Sequence, residues 1–206
     1  MNAAQLINQD SGNTEWYTPS EIIEAARLTM GSIDLDPASC DTANARVCAG
    51  RYFTQVDDGL SQPWFGNVWM NHPFGSNNRL WISKLVSEYE AVHISQACCI
   101  CFASTSERWF QPLLAYPVCF VSPRVNYLLA DGTKAKGVTK GSCVTYLGRN
   151  VGGFAAAFHS FGRIMVPYSV TAKCDICGNG FVAGRADARY CGPSCRQRAR
   201  RQRAKE

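Results

Sequence analysis

No segment of these 206 residues approaches the ~18 consecutive apolar residues that cross a bilayer, which excludes a membrane-spanning helix. The start, Met1 to Asp10, lacks the basic residues and apolar run of a secretory signal, so a cytoplasmic protein with no membrane partner is expected. There is no internal repeat and no long low-complexity linker. With 46% hydrophobic residues the chain can bury one full core and carry a small appendage. The glycine-rich loop of dinucleotide folds is missing, so that signature gives no help with a cofactor. Net charge is missing too from most of the chain: residues 1–195 carry 15 Lys and Arg against 15 Asp and Glu.

The surplus of +5 therefore falls in the last eleven residues, where six basic side chains face only Glu206. Arg196, Arg198, Arg200, Arg201 and Arg203 form a segment suited to phosphates, and such binding should weaken steeply with salt. No feature of the sequence speaks to oligomeric state.

Thr18-Pro19-Ser20-Glu21 before Ile22-Ile23 predicts a helix start, with Thr18 as the cap and Pro19 at the first helical position. Residues 32–36 predict a short strand ending at Pro37, with Asp34 and Asp36 on one side of it. A strand is predicted at 67–71 and a helix at 78–90 that buries Leu80, Trp81, Leu85 and Val86. A strand at 97–103, a helix at 104–115 and a strand at 118–121 follow. This alternation predicts an α/β fold whose parallel sheet is covered by helices on both faces. Two further strands, 124–129 and 143–147, flank a polar loop carrying Lys134, Lys136 and Lys140. With Arg124, these lysines are candidates for nucleic-acid contact.

Eleven cysteines would suggest disulfides in an exported chain. Here Cys98, Cys99 and Cys101 sit in an apolar stretch that reads as a buried strand using cysteine as a small hydrophobe, so reduced thiols are expected. Beyond a boundary near residues 170–173, the pairs Cys174/Cys177 and Cys191/Cys195 are separated by thirteen residues. That spacing can set four thiolates tetrahedrally around one ion. Gly178 and Gly180 suit a tight metal-binding turn, and Phe181 and Tyr190 can form a minimal core. Zinc is the expected ion, with iron as the minor competitor, and metal binding can supply folding energy to a segment too short for its own core. Residues 171–206 are thus read as a four-cysteine zinc module with a basic tail. With Arg185 and Arg189 included, residues 173–206 hold nine basic and three acidic side chains, which points to nucleic acid.

Asn71-His72-Pro73-Phe74 follows the apolar run Val68-Trp69-Met70. An exocyclic amine on a nucleobase is a poor nucleophile, because its lone pair is delocalised into the ring. The Asn71 side-chain oxygen and the His72 carbonyl can each accept one N–H, Pro73 fixes the turn, and Phe74 can stack on the base. The tetrapeptide is one residue away from the Asn-Pro-Pro-Tyr/Phe signature of amino-methyltransferases. His72 stands where that signature has its first proline; it can be a spacer, a phosphate contact or an aid to the departing proton. His93 and His159 are isolated and read as surface or core residues.

Four blocks carry a wider likeness: Glu15-Trp16-Tyr17-Thr18-Pro19; Asp34-Leu35-Asp36-Pro37-Ala38-Ser39; Arg51-Tyr52-Phe53-Thr54 with Asp57-Asp58-Gly59-Leu60; and Asn67 to Gly75. In this order, over residues 14–130, the chain resembles phage Dam-type DNA N6-adenine methyltransferases. The resemblance implies an S-adenosylmethionine-dependent enzyme over residues 1–170, with a Rossmann-like sheet and the cofactor at the sheet's C-terminal edge. It implies that Asp36-Pro37-Ala38-Ser39, with Asp34, forms the first cofactor motif and that Thr18-Pro19 approaches the methionine end. It assigns Asp57 or Asp58 to the cofactor's adenine. The implied partner is double-stranded DNA with its target adenine flipped out, in a bacterial or phage-infected cell. Other acceptors keep the same fold: cytosine N4, RNA adenine or a protein glutamine amide. A DNA-binding regulator that has lost catalysis is the alternative of another class.

Overall fold

The computed structural model describes residues 16–129, 131–135, 140–168, 170–183 and 188–203. The chain divides between Val166 and Pro167 into two compact units.

In the first unit, seven strands make one sheet: β1 Leu35–Asp36, β2 Arg51–Tyr52, β3 Gly66–Met70, β4 Ile94–Phe102, β5 Val118–Val121, β6 Ser142–Leu147 and β7 Gly162–Met165. Their order is β2-β1-β3-β4-β6-β5-β7. β2, β1, β3 and β4 run parallel, whereas β6 is antiparallel to β4, and β5 pairs antiparallel with β6 and β7. The expected parallel sheet is thus found in β2, β1, β3 and β4, and the β-rich part beyond it makes the sheet as a whole a mixed one.

Among the described residues four helices belong to this unit: α1 Ser20–Met30, α2 Asp41–Val47, α3 Asn78–Glu90 and α4 Val151–Phe158. Successive strand residues enter two separate cores, as the period of two requires. Trp69, Cys98, Ile100, Val144 and Tyr146 pack with Ile23 and Ala26 of α1 and Phe154 and Phe158 of α4. Val68, Met70, Ala97, Cys99 and Cys101 pack with Trp81, Ile82 and Leu85 of α3. A sheet buried on both faces explains the near-continuous apolar run of β4. Its cysteines are fully buried free thiols, and burial pushes the Cys98 thiol up.

Several expectations shift on contact with the structure. α1 begins at Ser20, with Pro19 in the cap position and no side-chain cap bond, so Thr18 is not its cap. α3 has its expected span, but Leu80 is 49% exposed and Ile82 takes the buried place. The helix predicted over 104–115 is only a 3-10 turn at Gln111–Ala115, because Pro112 offers no N–H and its ring crowds the preceding turn. The strand predicted over 124–129 is reduced to isolated bridges from Leu128 to Tyr17 and Lys134. α4 was missed because Gly152 and Gly153 disfavour a helix; Asn150 compensates as a cap, its Oδ1 accepting the Gly153 N–H at 3.0 Å.

The second unit holds an antiparallel hairpin, β8 Val170–Lys173 with β9 Gly180–Ala183, and helix α5 Pro193–Arg203. Among the described residues no helix is long and apolar enough to cross a membrane.

Candidate active site and metal centre

β1 and β3 are parallel neighbours, so the turns leaving their C-terminal ends, 36–40 and 71–74, lie side by side. A cavity of about 340 Å³ opens there, where ligands of parallel α/β sheets gather. Of the residues that sequence reasoning picked, Thr18, Asp36, Pro37, Ala38, Ser39, Asp58, Asn71, His72 and Pro73 line it. One wall depends on glycine: a Cβ at Gly59 would lie 1.9 Å from the Pro37 carbonyl oxygen, so only glycine lets loop 54–60 close on the Asp36–Ser39 turn.

Asn71 Nδ2 donates to the Trp16 carbonyl at 2.6 Å. That bond decides the amide's orientation and leaves Oδ1 as the acceptor. The Trp16 carbonyl is itself held in place, because the next residue, Tyr17, exchanges two backbone hydrogen bonds with Leu128, at 3.0 and 2.8 Å. His72 is buried, its Nε2 lying 3.1 Å from Asn78 Oδ1, which also accepts the Gly75 N–H. Asn78 Oδ1 being an acceptor, the ring proton sits on Nε2 and Nδ1 carries a lone pair. Burial depresses the imidazole to about 4, with the Asn78 bond opposing, so the ring is neutral at physiological pH.

Asp36 is buried and its carboxyl is pushed up to about 7 by desolvation, offset in part by the Ala38 N–H, which donates to Oδ1 at 3.2 Å. Among the described residues five buried side-chain atoms make no hydrogen bond of normal geometry, and four of them belong to this cavity: Thr18 Oγ1, Arg46 Nη1, His72 Nδ1 and Ser39 Oγ, the last near enough to Asp36 to hold its carboxyl down somewhat. Buried polar atoms are rarely left unpaired, so a cluster of them around one cavity marks a place for a polar ligand.

Other candidates stand elsewhere. Pro19 borders a second cavity of about 320 Å³, together with Arg124 and Lys134. Asp34 has a structural part, accepting the Asn67 N–H and the Ser32 hydroxyl, each at 2.8 Å. Asp57 accepts the N–H and hydroxyl of Thr54, bonds that pull its carboxyl below the usual range, and of the acidic pair only Asp58 lines the main cavity. Phe74 is not a lining residue. It is half-buried against Phe102, ring centroids 4.3 Å apart, with Tyr127 and His72 edge-on at 5.8 Å. Lys140 Nζ lies 5.4 Å from the centre of the Phe102 ring, which brings one predicted nucleic-acid residue next to that aromatic group.

Sequence reasoning missed Trp16, which acts through a backbone carbonyl and leaves no side-chain signature. It missed Asn78, whose part is visible only once His72 is placed, and Arg46, a single cation in a short helix with no motif around it.

In the second unit the sulfurs of Cys174, Cys177, Cys191 and Cys195 all lie within 4.8 Å of one another. Two of the gaps, Cys177 to Cys191 and Cys191 to Cys195, are 3.6 Å. Four thiolates about 2.3 Å from a tetrahedral ion stand roughly 3.8 Å apart, so the set is already shaped to hold a metal. Ala199 is buried one turn beyond Cys195, while Arg196, Arg198, Arg200 and Arg201 are exposed. Arg189 is exposed and paired with Asp175 at 2.6 Å. Lys136, Arg185 and the side chain of Arg203 lie outside the described residues.

The family model for DNA N-6-adenine-methyltransferase (Dam) matches residues 7–162, three quarters of the chain. The chain belongs to that family. This DNA adenine methyltransferase therefore acts on adenine N6, and the matched span contains the whole of the cavity and the Asn71–Phe74 turn. No curated protein matches it significantly.

Proposed function

We propose that the enzyme transfers a methyl group from S-adenosylmethionine to an adenine flipped out of duplex DNA, on a Rossmann-like scaffold with a zinc-bound, DNA-contacting C-terminal module. The observation that carries the catalytic reading is the Asn71 amide: its nitrogen is committed to Trp16, which leaves Oδ1 as the acceptor of a residue that lines the same cavity as the Asp36–Ser39 turn. Asn71 Oδ1 and the His72 carbonyl accept the two N6 protons and return the amine's lone pair to nitrogen. The half-buried Phe74 and its partner Phe102 offer an aromatic surface to the extruded base, whose unstacking costs a few kcal/mol, about the worth of one or two such stacks. S-adenosylmethionine, when bound, supplies an electrophilic methyl on a cationic sulfur. Thr18, Asp36, Ser39 and Asp58 are the residues that would hold it, and the unpaired Thr18 hydroxyl fits such a polar ligand. Much of the rate enhancement is positioning, and the proton can leave to solvent after transfer.

Zinc suits four thiolates at these separations, and Arg196, Arg198, Arg200 and Arg201 of α5 are exposed, where DNA phosphates can reach them. Arg124, Lys134 and Lys140 add exposed cations on the first unit. A bacterial or phage-infected cytoplasm, where such DNA is present, is the setting this implies. Asn71→Ala tests the catalytic reading: it should bind duplex DNA as the parent does and transfer no methyl groups. Retained transfer would overturn the assignment.

A further inference from the structure

Arg46 stands on the last turn of α2 and lines the main cavity. Its Nη1 is buried with no hydrogen-bond partner. A guanidinium N–H withdrawn from water without an acceptor is costly, and the cost is recovered when an anion arrives. Arg46 is also held in position. The Arg27 guanidinium donates to the Val47 carbonyl, and Asn44 Oδ1 accepts the Ala49 N–H at 2.9 Å, so the C-terminal end of α2 is pinned on both sides of Arg46. Its guanidinium carbon lies 5.8 Å from the centre of the Tyr17 ring. A planar cation fixed over an aromatic ring with a donor to spare is a receptor for a carboxylate.

We propose, resting on the methyltransferase reading above, that Arg46 binds the α-carboxylate of S-adenosylmethionine and so fixes the amino-acid end of the methyl donor. The opposite charge of that zwitterion has a partner in the same cavity. Among the described residues no cation pairs with Asp36, and its carboxyl, raised by burial, would be drawn to the ionised form by an ammonium or sulfonium group. A DNA phosphate is a poorer match for Arg46, because base flipping brings the base into the enzyme's pocket and leaves the backbone at the surface.

The test is calorimetric binding of S-adenosylmethionine and its decarboxylated analogue, which keeps the amine and sulfonium but lacks the carboxylate, to the full chain and its Arg46→Met and Arg46→Lys variants. Arg46→Met should weaken S-adenosylmethionine by about 10- to 100-fold, the worth of a charged hydrogen bond, and leave the decarboxylated analogue unchanged. Arg46→Lys should recover part of the loss. Equal weakening of both ligands would mark Arg46 as merely structural and overturn the proposal, as would no weakening of either. A parent protein that binds neither ligand would sink the cofactor reading itself, an outcome distinct from a failure at Arg46 alone.

Discussion

His72 stands where the Asn-Pro-Pro-Tyr/Phe pattern that this tetrapeptide resembles has its first proline, and its surroundings show how a histidine is accommodated there. The ring fills a buried site, is tied to Asn78 and lies edge-on to Phe74, so packing supplies the stiffness that a pyrrolidine ring would. The folded imidazole is held near 4 against an ordinary value of 6.5, so the stability it contributes is present above pH 6.5 and lost as pH falls through 4. His72→Phe keeps a ring there and removes the titration. Urea melts should show less acid sensitivity for this variant between pH 6.5 and 4, and because only the His72 carbonyl is used, methylation at pH 8 should persist. A fall in transfer by orders of magnitude would assign the ring a part in the chemistry. Asp36 has the opposite sign: its carboxyl is raised from 3.8 to about 7, so its contribution is present below pH 4 and lost as pH rises through 7. Without ligand, Asp36→Asn should therefore gain on the parent between pH 4 and 8, by on the order of 4 kcal/mol if the whole shift is expressed. A stability difference that does not change with pH would contradict a carboxyl raised by burial.

Helix α5 shows why one element depends on another. It holds five arginines and no acid among its eleven residues, so its i, i+4 neighbours Arg196 and Arg200 repel, and little apolar surface offsets this. Cys195, a metal-ligand candidate, ties the helix to the hairpin side of the cluster. A strong chelator, or the substitution Cys191→Ser, should abolish any metal, zinc by the proposal above, in elemental analysis and lower helicity in circular dichroism of the full chain. Unchanged helicity with no metal present would contradict a structural ion. At this scale the sequence was most legible where a repeating apolar pattern was long, as in α3 and β4. It was least legible where local propensity opposed the outcome. α4 forms across two glycines because Phe154 and Phe158 bury against the sheet, and the predicted 104–115 helix yields to Pro112.

For the molecule as a whole, the order of motifs was legible, while the antiparallel half of the sheet was not. β6, β5 and β7 carry apolar side chains that suit either direction of pairing, and their orientation follows from chain connection rather than residue type. The site was legible as a set of blocks. Its geometry needed the fold: Asp34 and Asp36 are two residues apart, yet one braces β3 through the Asn67 N–H and the other faces the cavity. The central claim is that this cavity serves methyl transfer to adenine in duplex DNA. It is tested most directly by incubating the full chain with duplex DNA and S-adenosylmethionine carrying a deuterated methyl group, then identifying the nucleosides by mass spectrometry. Deuteriomethyl at N6 of adenine, absent with Asn71→Ala, is the predicted result; label only on N4 of cytosine, or none where cofactor binding is demonstrated, would contradict it.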